Sequence, residues 1–211
     1  MRTRVKICGI TRIEDGLAAA RAGADAIGLV FYPNSGRYVE PARAAEIARA
    51  MPPFVTRVAL FVNAPVEEIS EVLQQVPIDL IQLHGNECPD YCARLERPYI
   101  KAIRMKADTD LLAERDRYRE AAGLLVDTYV PGVPGGTGET FNWSLIPRSL
   151  AGDIILAGGL TKHNVLEAVI NVRPWAVDVS GGVEASTGIK DASAIQQFVR
   201  GVKLGDRDIA C

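Results

Sequence analysis

The sequence predicts the α/β class, and within it a single-domain (β/α)8 TIM barrel, from three observations. Short apolar or β-branched runs recur eight times along the 211 residues. Most are near-continuous rather than alternating, which is the pattern of parallel strands covered on both faces. Helix-like segments separate them, and eight strand–helix units in about 200 residues suit a closed barrel better than an open sheet. An open sheet of that size also places a G-x-G-x-x-G turn after its first strand when it binds a dinucleotide. None follows here.

The first run, Val5–Cys8, ends abruptly at a cysteine and a glycine. Ile13–Ala22 follows as an Ala-rich helix with Glu14 and Asp15 in its first turn, where the helix dipole favours anions, and with Gly23 as its stop. Ala26–Phe31 is the second strand, and Pro41–Ala50 the second helix, opened by proline and closed by Pro52-Pro53. Arg57–Val62 leads to Pro65–Gln75, again proline-led and acidic at Glu67 and Glu68. Leu80–Leu83 precedes a short helix at Cys88–Leu95, and Tyr99–Arg104 precedes one at Asp108–Ala121. Gly123–Asp127 comes before the weakest helix pattern, Ser144–Pro147. Ile154–Ala157 with Thr161–Ile170, then Ala176–Val179 with Asp191–Val202, complete the eight units. Residues 1–211 are thus read as one domain, because α/β barrels run to about 200–250 residues as single units.

Charge and cysteine usage narrow the function. Lys+Arg 24 against Asp+Glu 26 gives a net charge of −2 without a cluster of one sign, so neither nucleic acid nor a membrane surface is an expected partner. Cys8, Cys88, Cys92 and Cys211 match no zinc spacing, and His84 and His163 are the only histidines, so no metal is expected. Reduced thiols suit the cytoplasm. The N-terminus lacks an apolar signal region, and no stretch approaches the roughly 20 apolar residues of a membrane span.

In a barrel of this kind, chemistry belongs at the carboxyl ends of the strands. Cys8-Gly9 ends the first, placing a thiol where the chain enters a loop. The second leads into Pro33-Asn34-Ser35-Gly36-Arg37-Tyr38-Val39, whose arginine offers a planar fork for a carboxylate. Gln82-Leu83-His84-Gly85 ends the fourth, where His84 either orients a ligand or caps the strand. The sixth ends in Asp127, which must be paired or lie in a site, because a buried unpaired carboxylate is costly. A Gly-rich loop follows it from Thr128 to Phe141, long enough to close over a substrate. Gly158-Gly159 and Gly181-Gly182 sit after the seventh and eighth strands, beside Ser180. Those two loops form the recurrent phosphate site of this architecture. Asp178 lies within its strand and is read as a structural acceptor; His163 is read as exposed surface. Thiol, carboxylate, arginine and phosphate cradle, with no cofactor motif, fit cofactor-free isomerisation of a phosphorylated sugar.

As an ordered set these segments resemble the phosphoribosylanthranilate isomerase family over residues 5 to about 200. The carriers are Lys6-Ile7-Cys8-Gly9-Ile10-Thr11, the Arg37 loop, Gln82-Leu83-His84-Gly85, Asp127 with Gly135-Gly136-Thr137-Gly138, Ala157-Gly158-Gly159-Leu160, and Asp178-Val179-Ser180-Gly181-Gly182-Val183-Glu184. Two positions depart from the usual pattern: Gly36 stands where proline is frequent, and Gly181 where serine is common. The resemblance implies an Amadori rearrangement of N-(5-phosphoribosyl)anthranilate in tryptophan biosynthesis, with a small phosphorylated substrate and a monomeric or homodimeric enzyme. It implies Asp127 as general acid, Cys8 as general base and Arg37 on the anthranilate carboxylate, with Gly158, Gly159, Ser180, Gly181 and Gly182 on the phosphate. Other readings are the histidine-pathway isomerase, which carries aspartate where Cys8 stands, and a non-catalytic phosphometabolite-binding barrel.

Overall fold

The computed structural model describes residues 2–128 and 140–209. Its eight main strands are β1 (Arg4–Ile7), β2 (Ala26–Val30), β3 (Thr56–Phe61), β4 (Leu80–Leu83), β5 (Tyr99–Met105), β6 (Gly123–Thr128), β7 (Ile154–Leu156) and β8 (Ala176–Val179). They form a closed parallel barrel in chain order, shut by β8 against β1 from Arg4↔Ala176 to Ile7↔Val179. The alternating strand–helix pattern thus yields the architecture it predicted.

Helices α1 (Ile13–Ala22), α2 (Pro41–Ala50), α3 (Val66–Gln75), α4 (Pro89–Cys92), α5 (Leu111–Arg117), α6 (Arg148–Ala151), α7 (Val165–Val172) and α8 (Ala192–Ile209) surround it. One large apolar cluster fills the layer between strands and helices; Ile7, Ile27, Leu29, Phe61, Ile81, Leu83 and Leu124 face helix residues such as Ile47, Ile69 and Phe198 there. These strand residues alternate with inward-facing ones, so each strand is buried on both sides, and this explains the near-continuous apolar runs.

Several boundaries differ from expectation. The Ser144–Pro147 segment is not an α-helix: Trp143–Leu145 forms a 3-10 turn capped by Asn142, and the α-helix begins only after Pro147. Thr161 and Asn164 make a turn of their own, with Thr161 N–H donating to Asn164 Oδ1 at 2.8 Å, which delays α7. In the loop after β8 two short antiparallel strands appear, β9 (Glu184–Ser186) and β10 (Ile189–Lys190), where none was expected.

Helix α5 starts later than the apolar pattern suggested because Asp110 caps it, accepting from Leu112 and Ala113 N–H at 3.1 and 3.0 Å. Asp110→Ala should lower unfolding stability by about 1 kcal/mol, the usual loss of an N-cap. Urea denaturation checks this, and an unchanged midpoint would contradict the cap.

Candidate active site

Strand parity places the site. Side chains alternate across a strand, so residues two apart share a face. Ile100, Ala102, Leu125 and Ala157 pack inside the barrel with Leu80 and Ile155 against them. One step further along the same face lie Asp127 after Leu125, and Gln82 and His84 after Leu80. A second interior group, Cys8, Val30 and Leu60 with Tyr32 and Val62, occupies the mouth beside β1 to β3. On β4 to β7 apolar residues fill the lower interior and polar ones stand toward the rim, whereas on β1 and β8 the interior holds Lys6 and Asp178.

Asp127 is held at both oxygens. Oδ1 accepts from Thr128 N–H at 2.8 Å, and Oδ2 lies 3.0 Å from His84 Nε2. His84 Nδ1 is 3.0 Å from Gln82 Nε2. An amide nitrogen can only donate, so it assigns Nδ1 as acceptor and puts the ring proton on Nε2, aimed at Asp127. His84 therefore does more than cap a strand. Below it, the buried pair Lys101–Glu87, 3.1 Å apart, fixes the loop after β4: Lys101 Nζ donates to Gly85 O at 2.8 Å, while Glu87 accepts from Asn63 and Gly85 N–H.

Cys8 is 5% exposed and ends β1 with its N–H bonded to Val179 O at 2.8 Å. Room for the thiol comes from Gly28, where a Cβ would meet Cys8 Sγ at 2.7 Å and Lys6 Nζ at 3.1 Å. Lys6, inward like Cys8, forms a buried ion pair with Asp178 at 2.9 Å. Asp178 is thus the structural acceptor that its strand position suggested. Burial pushes the Cys8 thiol above its ordinary range, with the Lys6 charge opposing and the Asp178 carboxylate adding to the rise. The site makes Cys8 a strong base once ionised, and an infrequent thiolate at neutral pH.

Arg37 reaches the same rim from the loop after β2. Contrary to a clamp standing open, its Nε and Nη2 already donate to Glu184 Oε1 and Oε2, each at 2.8 Å. On the opposite side Gly158 turns the chain with φ +81°, and a Cβ there would lie 2.7 Å from Thr128 N and 3.0 Å from Asp127 Oδ1. Gly182 has no room for a side chain either, because a Cβ would collide with the Leu160 carbonyl. The two glycine loops are in this way packed directly on one another.

All nine sequence-predicted site residues, Cys8, Arg37, His84, Asp127, Gly158, Gly159, Ser180, Gly181 and Gly182, line one cavity of about 730 Å³. Gln82 and Asp178 line it too. Gln82 was missed, although its place two residues before His84 in an otherwise apolar strand was a usable signal. Glu184 was missed as the partner of Arg37 because nothing local links residues so far apart, and Lys190, which holds Glu184, was missed with it. His163 is exposed, as expected. Most of the Gly-rich loop, residues 129–139, and Cys211 lie outside the described residues. Among the described residues no cluster of three or more His, Cys, Asp or Glu could hold a metal, and no helix is long and apolar enough to cross a membrane.

Comparison with known proteins adds a family to this geometry. The model of the family described as N-(5'phosphoribosyl)anthranilate (PRA) isomerase matches residues 5–201. An N-(5'-phosphoribosyl)anthranilate isomerase from Alcanivorax borkumensis is 62% identical over 95% of this chain and 95% of its own. The crystal structure of phosphoribosyl anthranilate isomerase from Thermotoga maritima superposes with a TM-score of 0.87 at 43% identity, over 95% of this chain and 98% of that one. A further structure of such an enzyme, in complex with reduced 1-(o-carboxyphenylamino)-1-deoxyribulose 5-phosphate, gives 0.84 at 42% identity, over 95% and 98%.

Proposed function

The chain belongs to the N-(5'-phosphoribosyl)anthranilate isomerase family, and on that premise we propose that Asp127 and Cys8 are the acid and base of its reaction. The protein is an isomerase of tryptophan biosynthesis acting on a small phosphorylated ligand. Cytoplasmic action is part of the proposal. The observation that carries the roles is the bipolar cavity, with a thiol and a carboxylate at its rim between an apolar wall and a glycine cradle.

The substrate's two ends fit the two sides. Val30, Leu60 and Val62 offer an apolar wall for the anthranilate ring, with Arg37 above it for the carboxylate. Gly158, Gly159, Ser180, Gly181 and Gly182 face the phosphate, whose oxygens seek backbone N–H donors. Gln82 Oε1, buried with no hydrogen-bond partner among the described residues, is an acceptor for a ribose hydroxyl between the two ends.

Asp127 in its protonated form gives its proton to the furanose ring oxygen. The C1′–O bond breaks as the anthranilate nitrogen lone pair forms the C1′=N bond of a protonated Schiff base. The Cys8 thiolate then removes the C2′ proton, and those electrons neutralise the iminium nitrogen to give an enolamine. Tautomerisation moves one proton from the C2′ hydroxyl to C1′ and leaves the ketone. Return of the proton from Cys8 to Asp127 through water closes the cycle. His84 and Thr128 N–H hold the carboxyl in place for the first step. An aspartate in place of Cys8, as in the histidine-pathway enzyme, would be a different base; the thiol here agrees with the family match.

The test is the loss of fluorescence of freshly made phosphoribosylanthranilate on addition of purified protein. Turnover is expected, and none at micromolar enzyme would overturn the reading. Arg37→Ala should raise KM at least about tenfold, the loss of a charged hydrogen-bonded contact, with a smaller change in kcat. An unchanged KM and kcat would remove Arg37 from the site.

A further inference from the structure

A guanidinium has two forks that can grip a carboxylate: side-on through Nε and one Nη, and end-on through both Nη groups. In this protein the side-on fork of Arg37 is filled by Glu184, with both bonds at 2.8 Å. The end-on edge, Nη1 with the second hydrogen of Nη2, is the one left for a ligand.

Glu184 is built in, not draped on the surface. Its side chain is 6% exposed, and Oε1 also accepts from Lys190 Nζ at 2.7 Å, an ammonium with no exposed surface. Lys190 Nζ donates in addition to Ser180 O at 3.1 Å. Glu184 opens β9 and Lys190 closes β10, so the hairpin that the sequence did not reveal carries both groups. That hairpin is pinned to the first βα loop and helix: Lys190 N–H donates to Asp15 Oδ2 at 3.0 Å, and Thr11 Oγ1 donates to Gly188 O at 2.5 Å. The arginine's stem is confined as well, since a Cβ on Gly9 would lie 2.6 Å from Arg37 Cδ, and one on Gly181 3.2 Å from Nη2.

We propose that Glu184 is a positioning residue for substrate recognition: it occupies the side-on fork of Arg37, locks the guanidinium plane, and leaves only the end-on fork for the anthranilate carboxylate. The inference rests on the proposed role of Arg37. Two cations around one carboxylate leave a net positive site, so Glu184 gives up some raw attraction for an anion. In return the fork is preorganised, and little side-chain freedom is lost when the ligand arrives. An aryl carboxylate ortho to the amine can then be met in a single geometry, which a freely rotating arginine would not impose.

Two ligands separate orientation from charge and from scaffold damage. One is reduced 1-(o-carboxyphenylamino)-1-deoxyribulose 5-phosphate; the other is its phenylamino counterpart without the carboxyl. Calorimetric titration of Glu184→Gln should show affinity for the first falling at least about tenfold, the scale of one well-oriented charged hydrogen bond, with the second unchanged within about twofold. Glu184→Asp, which keeps the charge but shortens the reach, should recover part of the loss. Tighter binding of the first ligand to Glu184→Gln would mean that Glu184 only dilutes the positive charge, and would overturn the proposal. Equal losses for both ligands would mean a damaged hairpin, and would overturn it too. Arg37→Ala is the control. If that variant still prefers the carboxylated ligand as the wild type does, the reading of Arg37 fails; if it loses the preference while Glu184→Gln keeps it, only the role of Glu184 fails.

Discussion

Cys8→Ala should lower kcat by at least about a hundredfold, and by up to about 10⁴, the usual range for removing a general base. The thiol is buried at the end of β1 among Val30, Leu60, Gly28 and the Lys6–Asp178 pair, and alanine removes one atom there without adding bulk. Binding of the reduced product analogue should therefore survive. The pH dependence carries the same signature. A base works as its thiolate, and below the thiol pKa that fraction rises about tenfold per pH unit. Burial raises Cys8 above the ordinary value near 8.5, so the wild-type rate should still be climbing at pH 8.5. Cys8→Ala should lose that limb. Turnover within a few-fold of wild type, or an alkaline limb intact in the variant, would show that another group takes the proton.

Asp127→Asn should be comparably damaging for a different reason. Asparagine keeps the shape, and its one oxygen can still accept from Thr128 N–H, while its amide nitrogen takes the place of Oδ2 and donates to His84 Nε2 once the ring proton moves to Nδ1. What it lacks is a proton acidic enough to give to the ring oxygen. The expected result is a loss in kcat of at least about a hundredfold with KM within a few-fold of wild type. A variant that bound the product analogue poorly would place Asp127 in binding instead. Wild-type-like kcat would remove it from the chemistry.

Much of this was legible in the sequence because a barrel sorts its residues so simply. Near-continuous apolar runs announced β1 to β8, and the residue ending each run marked the rim, which is how Cys8, Asp127 and the two glycine pairs were found without a structure. Helices α1 and α2 also began and ended where their acidic first turn, proline and glycine signals said they would. Signals of that kind are local. The partners were not legible, because Arg37–Glu184, Lys6–Asp178 and His84–Asp127 join residues that only closure of the barrel brings together. The β9–β10 hairpin was hidden for another reason: three-residue and two-residue strands are too short to show an alternating pattern.

The assignment of proton donor and acceptor is tested most directly by substrate deuterated at C2′, turned over by the two variants side by side. Removal of the base makes C2′ proton abstraction limiting, so Cys8→Ala should show a full primary isotope effect. Removal of the acid makes ring opening limiting, a step in which the C2′ bond stays intact, so Asp127→Asn should show almost none. The opposite pattern, or an equal effect in both, would contradict the roles proposed for Cys8 and Asp127.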